Sequence, residues 1–142
     1  MKISARNRFF GTVTGIRTGA VHDEVTLEFA PARSLVATIT RESREALGLA
    51  EGVEAAALVK ASSVLLMTES DGLRFSARNQ LPGVIAQVNR GAVNAEVVVD
   101  VLDGPSVVAV VTLGSVDELA LSPGQTVTAL FKASSVFLAR RL

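Results

Sequence analysis

The chain has 142 residues, with 14 Lys and Arg against 14 Asp and Glu, one His and no Cys, and 49% of it is hydrophobic. Balanced charge gives no support to a general nucleic-acid or membrane-surface binder, which carries a basic excess, and the missing Cys excludes a disulfide framework and thiolate metal sites. No apolar run approaches the roughly 18 residues of a membrane span, and the N-terminus turns polar too soon for a signal peptide, so a cytoplasmic protein with no membrane partner is expected.

In chain order, Ser4-Ala5-Arg6-Asn7 precedes an expected curved strand, Phe9 to Ile16, in which Gly11 and Gly15 permit bending. Gly19-Ala20-Val21-His22-Asp23 reads as a loop. Val25, Leu27 and Phe29 then alternate with polar residues as in a half-buried strand. A turn at Pro31 leads to a third strand, Leu35 to Thr40, and to a helix of one or two turns with Ser43 as N-cap and Gly48 as its stop. Glu54 to Lys60 and Ser63 to Thr68 complete five strands. Strand-strand-strand-helix-strand-strand in so short a span is the order of a small Greek-key barrel of the oligonucleotide/oligosaccharide-binding (OB) type.

Past Ser70-Asp71-Gly72, a linker too short for free movement, the same order returns: strands Gly83 to Asn89, Glu96 to Leu102, Val107 to Thr112, Thr126 to Lys132 and Ser135 to Ala139, with capping-box spacing at Ser115 to Glu118. Residues 1–70 align with 73–142 without a gap and share 26 identities. The fold expected is all-β: two tandem five-stranded OB-like barrels, 1–70 and 73–142, each with one short helix. Modules this small bury only about 60% of their unfolded surface, so the apolar surplus is expected to be covered between modules and between chains of a homo-oligomer.

Two copies in one chain have had the chance to diverge, so the polar residues common to both are informative. Thr40, Ser43 and Ser34 read as caps and turn formers, and Glu24 as a solvated charge at a strand edge. Two longer strings stand out: Ser4-Ala5-Arg6-Asn7 with Ser76-Ala77-Arg78-Asn79, and Lys60-Ala61-Ser62-Ser63 with Lys132-Ala133-Ser134-Ser135. Each joins one fixed positive charge to short hydroxyl or amide donors without a carboxylate. That kit suits a tetrahedral oxyanion, an Arg fork taking two oxygens and Lys, Ser, Asn and backbone N–H groups the rest. A cation site would want carboxylates or imidazoles. The competing reading is that Arg6 and Lys60 form surface salt bridges while the serines end strands. Gly19-Ala20-Val21 recurs as Gly91-Ala92-Val93, read as a tight turn, the alternative being that its small residues leave backbone N–H groups open to an anion or a symmetry mate. His22 becomes Asn94 in the second copy and is not expected to act as an acid or base.

The combination of Ser-Ala-Arg-Asn, Gly-Ala-Val, Ile39-Thr40-Arg41-Glu42-Ser43 and Lys-Ala-Ser-Ser-Val resembles the molbindin, or TOBE, domain, and two copies in tandem resemble the di-domain molbindins. The resemblance covers essentially the whole chain. It implies a cytoplasmic homotrimer that binds molybdate and tungstate at interfaces between modules. The contacts it implies are Ser4, Arg6, Asn7, Lys60, Ala61 and Ser62, with Ser76, Arg78, Asn79, Lys132, Ala133 and Ser134 in the second copy, and the loops Gly19 to Val21 (through Ala20) and Gly91 to Val93 (through Ala92) as site walls. Leu113-Gly114-Ser115-Val116 departs from Arg41-Glu42-Ser43-Arg44, so the two copies are not expected to build identical sites.

Storage, buffering or delivery of the oxyanion is the function expected, with a molybdate-responsive regulatory module as the alternative. No nucleophile with a base, acid pair or metal cluster points to an enzyme or a catalytic cofactor. A nucleic-acid-binding OB module would want aromatics for base stacking and a basic groove, whereas the chain has no Trp, no Tyr and no net charge.

Overall fold

The computed structural model describes all 142 residues. β1 (Asn7–Thr18) and β2 (His22–Ala30) form a hairpin whose register slips between Val13 and Gly15, the bend expected of a glycine-bearing first strand. At Gly11 a Cβ would run into the Glu28 carbonyl of β2, so only glycine fits there. β2 buries Val25 and Leu27 while its intervening residues stay partly or fully exposed, and it pairs with β3 (Arg33–Thr40) across a turn in which Ala32 takes a φ of 59°.

Helix α1 (Arg41–Ala46) follows at once. Its N-cap is Thr40, whose hydroxyl accepts the Ser43 N–H at 3.1 Å. The expected cap, Ser43, therefore lies three residues inside the capping position. Thr112 caps α2 (Leu113–Glu118) in the same way, displacing the capping box expected at Ser115. Both corrections have one cause: the strand ends on a threonine already extended, with its oxygen over the first helical N–H groups, so the cap comes from the strand. Gly48, at φ 61°, stops α1 as expected; Ala120 stands at the same place in the second half with φ 50°.

β4 (Glu54–Val59) is buried from Ala55 onward because it lies between two strands. One is β1. The other is β10 (Val136–Ala139), from the far end of the chain. β6 (Asn79–Arg90), β7 (Asn94–Val101), β8 (Ser106–Thr112) and β9 (Thr126–Phe131) repeat the first four strands, and their fifth partner is β5 (Leu65–Met67) of the first half. The sheets run β10-β4-β1-β2-β3 and β5-β9-β6-β7-β8.

The two five-stranded OB-like units are present, but each takes its last strand from the other half. Neither half closes on its own fifth strand as expected from the order of elements. A single 3-10 turn, Ala61–Ser63, joins β4 to β5 between flanking residues that are both extended; it redirects the chain across the molecule instead of reversing it into a hairpin. Ala133–Ser135 does the same before β10. A single hydrophobic cluster of 25 residues accordingly draws on both halves, with Phe9 of β1 facing Phe131 of β9 at 6.3 Å between ring centroids. No helix is long and apolar enough to cross a membrane.

Candidate functional site

The β1–β4 ladder ends at Asn7 opposite Val59, so Arg6 and Lys60 are the next residues outward on two adjacent strands. The β6–β9 ladder ends at Asn79 opposite Phe131, which puts Arg78 beside Lys132 in the same way. The two strings of each half, which stand at opposite ends of its sequence, therefore leave one ladder side by side. Val136 opposite Val59 and Leu65 opposite Leu130 place both 3-10 turns at the crossover of the exchanged strands. The first turn packs on β8 and the second on β3, so each half's strings lie on the other half's sheet.

Asn7 and Asn79 hold that junction. The buried Asn7 amide donates to the Val108 carbonyl at 2.9 Å and accepts the Val108 N–H at 2.7 Å; Asn79 does the same to Val36, both at 2.8 Å. Each side chain thus satisfies both backbone groups of one residue in the other half, and its amide is committed to that clamp.

Arg6 reaches Glu96 with two prongs, Nη1 to Oε1 at 3.0 Å and Nη2 to Oε2 at 3.5 Å. Arg78 reaches Glu24 at 2.6 Å. Glu24, read from the sequence as a solvated charge, is instead an ion-pair partner across the junction, and so is its counterpart Glu96. Their retention in both halves together with the arginines was the pattern that could have revealed the pairing.

Lys60 and Lys132 are exposed and make no ion pair or side-chain hydrogen bond; the exposed Ser4, Ser62, Ser76 and Ser134 hydroxyls also have no protein partner. Ala61 and Ala133 are buried beneath them. The competing sequence reading thus fits the arginines and not the lysines. What remains free at each crossover edge is an ammonium flanked by short hydroxyls, a donor set suited to an oxyanion.

The Gly19–Val21 and Gly91–Val93 loops close the β1–β2 and β6–β7 hairpins, at the opposite end of the long first strand from the arginine string of the same half. They lie beside the helix start of the same half, where the Arg41 N–H donates to the Val21 carbonyl and the Leu113 N–H to the Val93 carbonyl. A groove of about 770 Å³ brings Ser134 together with His22, Thr40 and Ser43, next to the first loop, and a matching one of about 500 Å³ brings Ser62 to Thr112 and Ser115. The valines at the loop tips are open to solvent, Val21 at 64% and Val93 at 77%.

Beneath the first loop lies Asp23, a fully buried carboxylate that the sequence pattern did not single out. It accepts the Gly19 N–H at 3.1 Å and the Arg44 Nε–H at 2.5 Å, with Arg41 at 3.5 Å. The Arg44 hydrogen bond, aided by the Gly19 N–H and the two guanidinium charges, holds its pKa below the ordinary 3.8 against the opposing effect of burial. No group of three or more His, Asp or Glu side chains converges as a cation site would require.

Two curled five-stranded sheets that exchange their last strands, each with a free lysine at its crossover edge, define a tandem OB-like module, and comparison with known proteins gives its family. The TOBE domain model matches residues 3–66 and 76–138, and the chain belongs to that family. It is 48% identical over 139 residues to the molybdenum transport protein ModE of Azotobacter vinelandii and 47% identical over 139 residues to the molybdenum-pterin-binding protein MopA of Rhodobacter capsulatus. Each match covers 98% of this chain but only 51% and 52% of the relative. The DNA-binding transcriptional dual regulator ModE of Escherichia coli is 38% identical over 140 residues, 52% of its length. The chain therefore spans about half the length of these curated relatives. A crystal structure of the cytoplasmic molybdate-binding protein ModG with molybdate bound superimposes with a TM-score of 0.93 at 46% identity, covering 99% of this chain and 100% of that one.

Proposed function

We propose that this chain binds molybdate, and tungstate by the same chemistry, as a store, buffer or carrier in the cytoplasm. The observation that carries the reading is the end-to-end likeness to a molybdate-bound protein, 46% identical across 99% of this chain. The free Lys60 and Lys132 at the crossover edges, with Ser4, Ser62, Ser76 and Ser134 beside them, are the groups that meet the oxyanion, and Arg6 and Arg78 stand next to them. The role is binding without catalysis.

Sites of this kind are open on one side, and the reading includes a second chain to close them. Exposed Phe10, Leu65 and Phe137, at 64%, 64% and 63%, supply apolar surface for a trimer in which the Gly19–Val21 and Gly91–Val93 loops serve as walls. A regulatory role within a longer protein is the second reading. It is favoured by the 38% identity to a DNA-binding regulator of which this chain spans about half.

Isothermal titration with molybdate and then sulfate, alongside the mass in solution, tests the proposal. Molybdate uptake at more than one site per chain, weak sulfate binding and a trimeric mass are expected. Absence of molybdate binding by titration and by equilibrium dialysis contradicts it.

A further inference from the structure

We infer that Glu24 and Glu96 are built-in competitors for the oxyanion, setting its affinity by occupying the arginine forks at the edge of each site. The inference rests on the oxyanion reading of the crossover edges. The pairing occurs twice, Arg6 with Glu96 and Arg78 with Glu24, each time across the junction between halves. Arg6 receives Glu96 through both prongs, at 3.0 and 3.5 Å, the same two-oxygen face a tetrahedral oxyanion offers to a guanidinium. The neighbouring lysine has no carboxylate of its own, so the competition falls on the arginine alone.

A purely structural role accounts poorly for these pairs. Their side chains are half open to water, Arg6 at 52% and Glu96 at 43%, Arg78 at 49% and Glu24 at 31%, a setting in which ion pairs add little to stability. The buried Asn7 and Asn79 clamps already fix the same junction. Glu24 and Glu96 lie in register opposite Arg17 and Asn89 of the adjoining first strands, yet their ion pairs run across the junction to Arg78 and Arg6. An oxyanion that takes the fork displaces a carboxylate, and the net gain is the difference between the two anions.

The test is Glu24→Gln with Glu96→Gln, titrated with molybdate at fixed ionic strength, in the parent and in a background carrying Arg6→Ala and Arg78→Ala. The expected result is about two- to fivefold tighter binding in the parent, the scale of one exposed ion pair released per site, and no gain once the arginines are gone. Unchanged or weaker binding overturns the inference, as does a gain that survives removal of the arginines, since that gain reflects net charge alone. If the unsubstituted protein takes up no molybdate, the oxyanion reading itself fails; if it does and the glutamate variants leave affinity unmoved, only the competition fails. An unaltered thermal melt confirms that the variants are folded.

Discussion

In the first half the β1–β2 hairpin rests on Asp23, which is held between Arg44 and Arg41 and accepts the Gly19 N–H. In the second half the same three positions are Ala95, Val116 and Leu113; Ala95 and Val116 are buried, and Gly91 donates to the Asn94 carbonyl at 2.8 Å. One backbone is supported by a buried carboxylate held between two partly exposed guanidinium groups, and its copy by apolar packing. A buried carboxylate and the cations that hold it are therefore exchangeable for hydrophobic residues as a unit, whereas the members depend on one another.

The largest expected effect breaks that dependence. Asp23→Ala leaves Arg44 without its buried partner and deprives Arg41, whose Nε is already buried without a hydrogen bond, of its nearest carboxylate. It should lower the melting temperature more than the loss of either asparagine clamp or either helix cap. Adding Arg41→Leu and Arg44→Val, which copies the second half, should recover most of that loss; a triple variant no more stable than Asp23→Ala contradicts the interchange. The same comparison can be sharpened with acid. Because the Asp23 carboxyl is depressed below 3.8 in the fold, its contribution to stability is complete above that pH and is lost as pH falls below it toward the folded value. The triple variant should show the shallower loss of stability below pH 3.8.

The Asn clamps come next. Asn7→Ala strands the N–H and C=O of Val108, which is buried, while Asn79→Ala strands those of Val36, which is partly open. Urea unfolding should show a loss of about 2 kcal/mol for Asn7→Ala and a smaller loss for Asn79→Ala. Smallest and most nearly equal should be the helix caps: Thr40→Ala and Thr112→Ala at about 1 kcal/mol each, since their capping bonds are both 3.1 Å.

Much of the architecture was legible from the chain because local rules set it. The alternation of Val25 and Leu27 with polar residues marked β2, and Gly11 and Gly15 marked the bent first strand, whose register slips between Val13 and Gly15. The exchange of fifth strands was not legible. Val64 to Met67 carry an apolar pattern that suits their own sheet or its copy equally, and the choice is made by a three-residue turn whose geometry no periodicity reports.

The candidate site was half legible. Free Lys60 and Lys132 match the chemistry read from the strings, but Asn7 and Arg6 could not be told apart as structural or ligand-facing. Their partners lie 101 and 90 residues away in sequence. Asp23 was missed because the repeat directs attention to what both halves share, and this residue belongs to one half only.

The most direct test of oxyanion binding at the crossover edges is an isothermal titration of molybdate into the protein and into the variant carrying Lys60→Ala and Lys132→Ala, both at the same ionic strength. Each lysine lies beside an arginine that is paired with a carboxylate and has no such partner itself, so an unchanged mass in solution and about tenfold or greater weakening of binding are expected. Unchanged affinity in the variant would contradict the placement of the oxyanion at these edges.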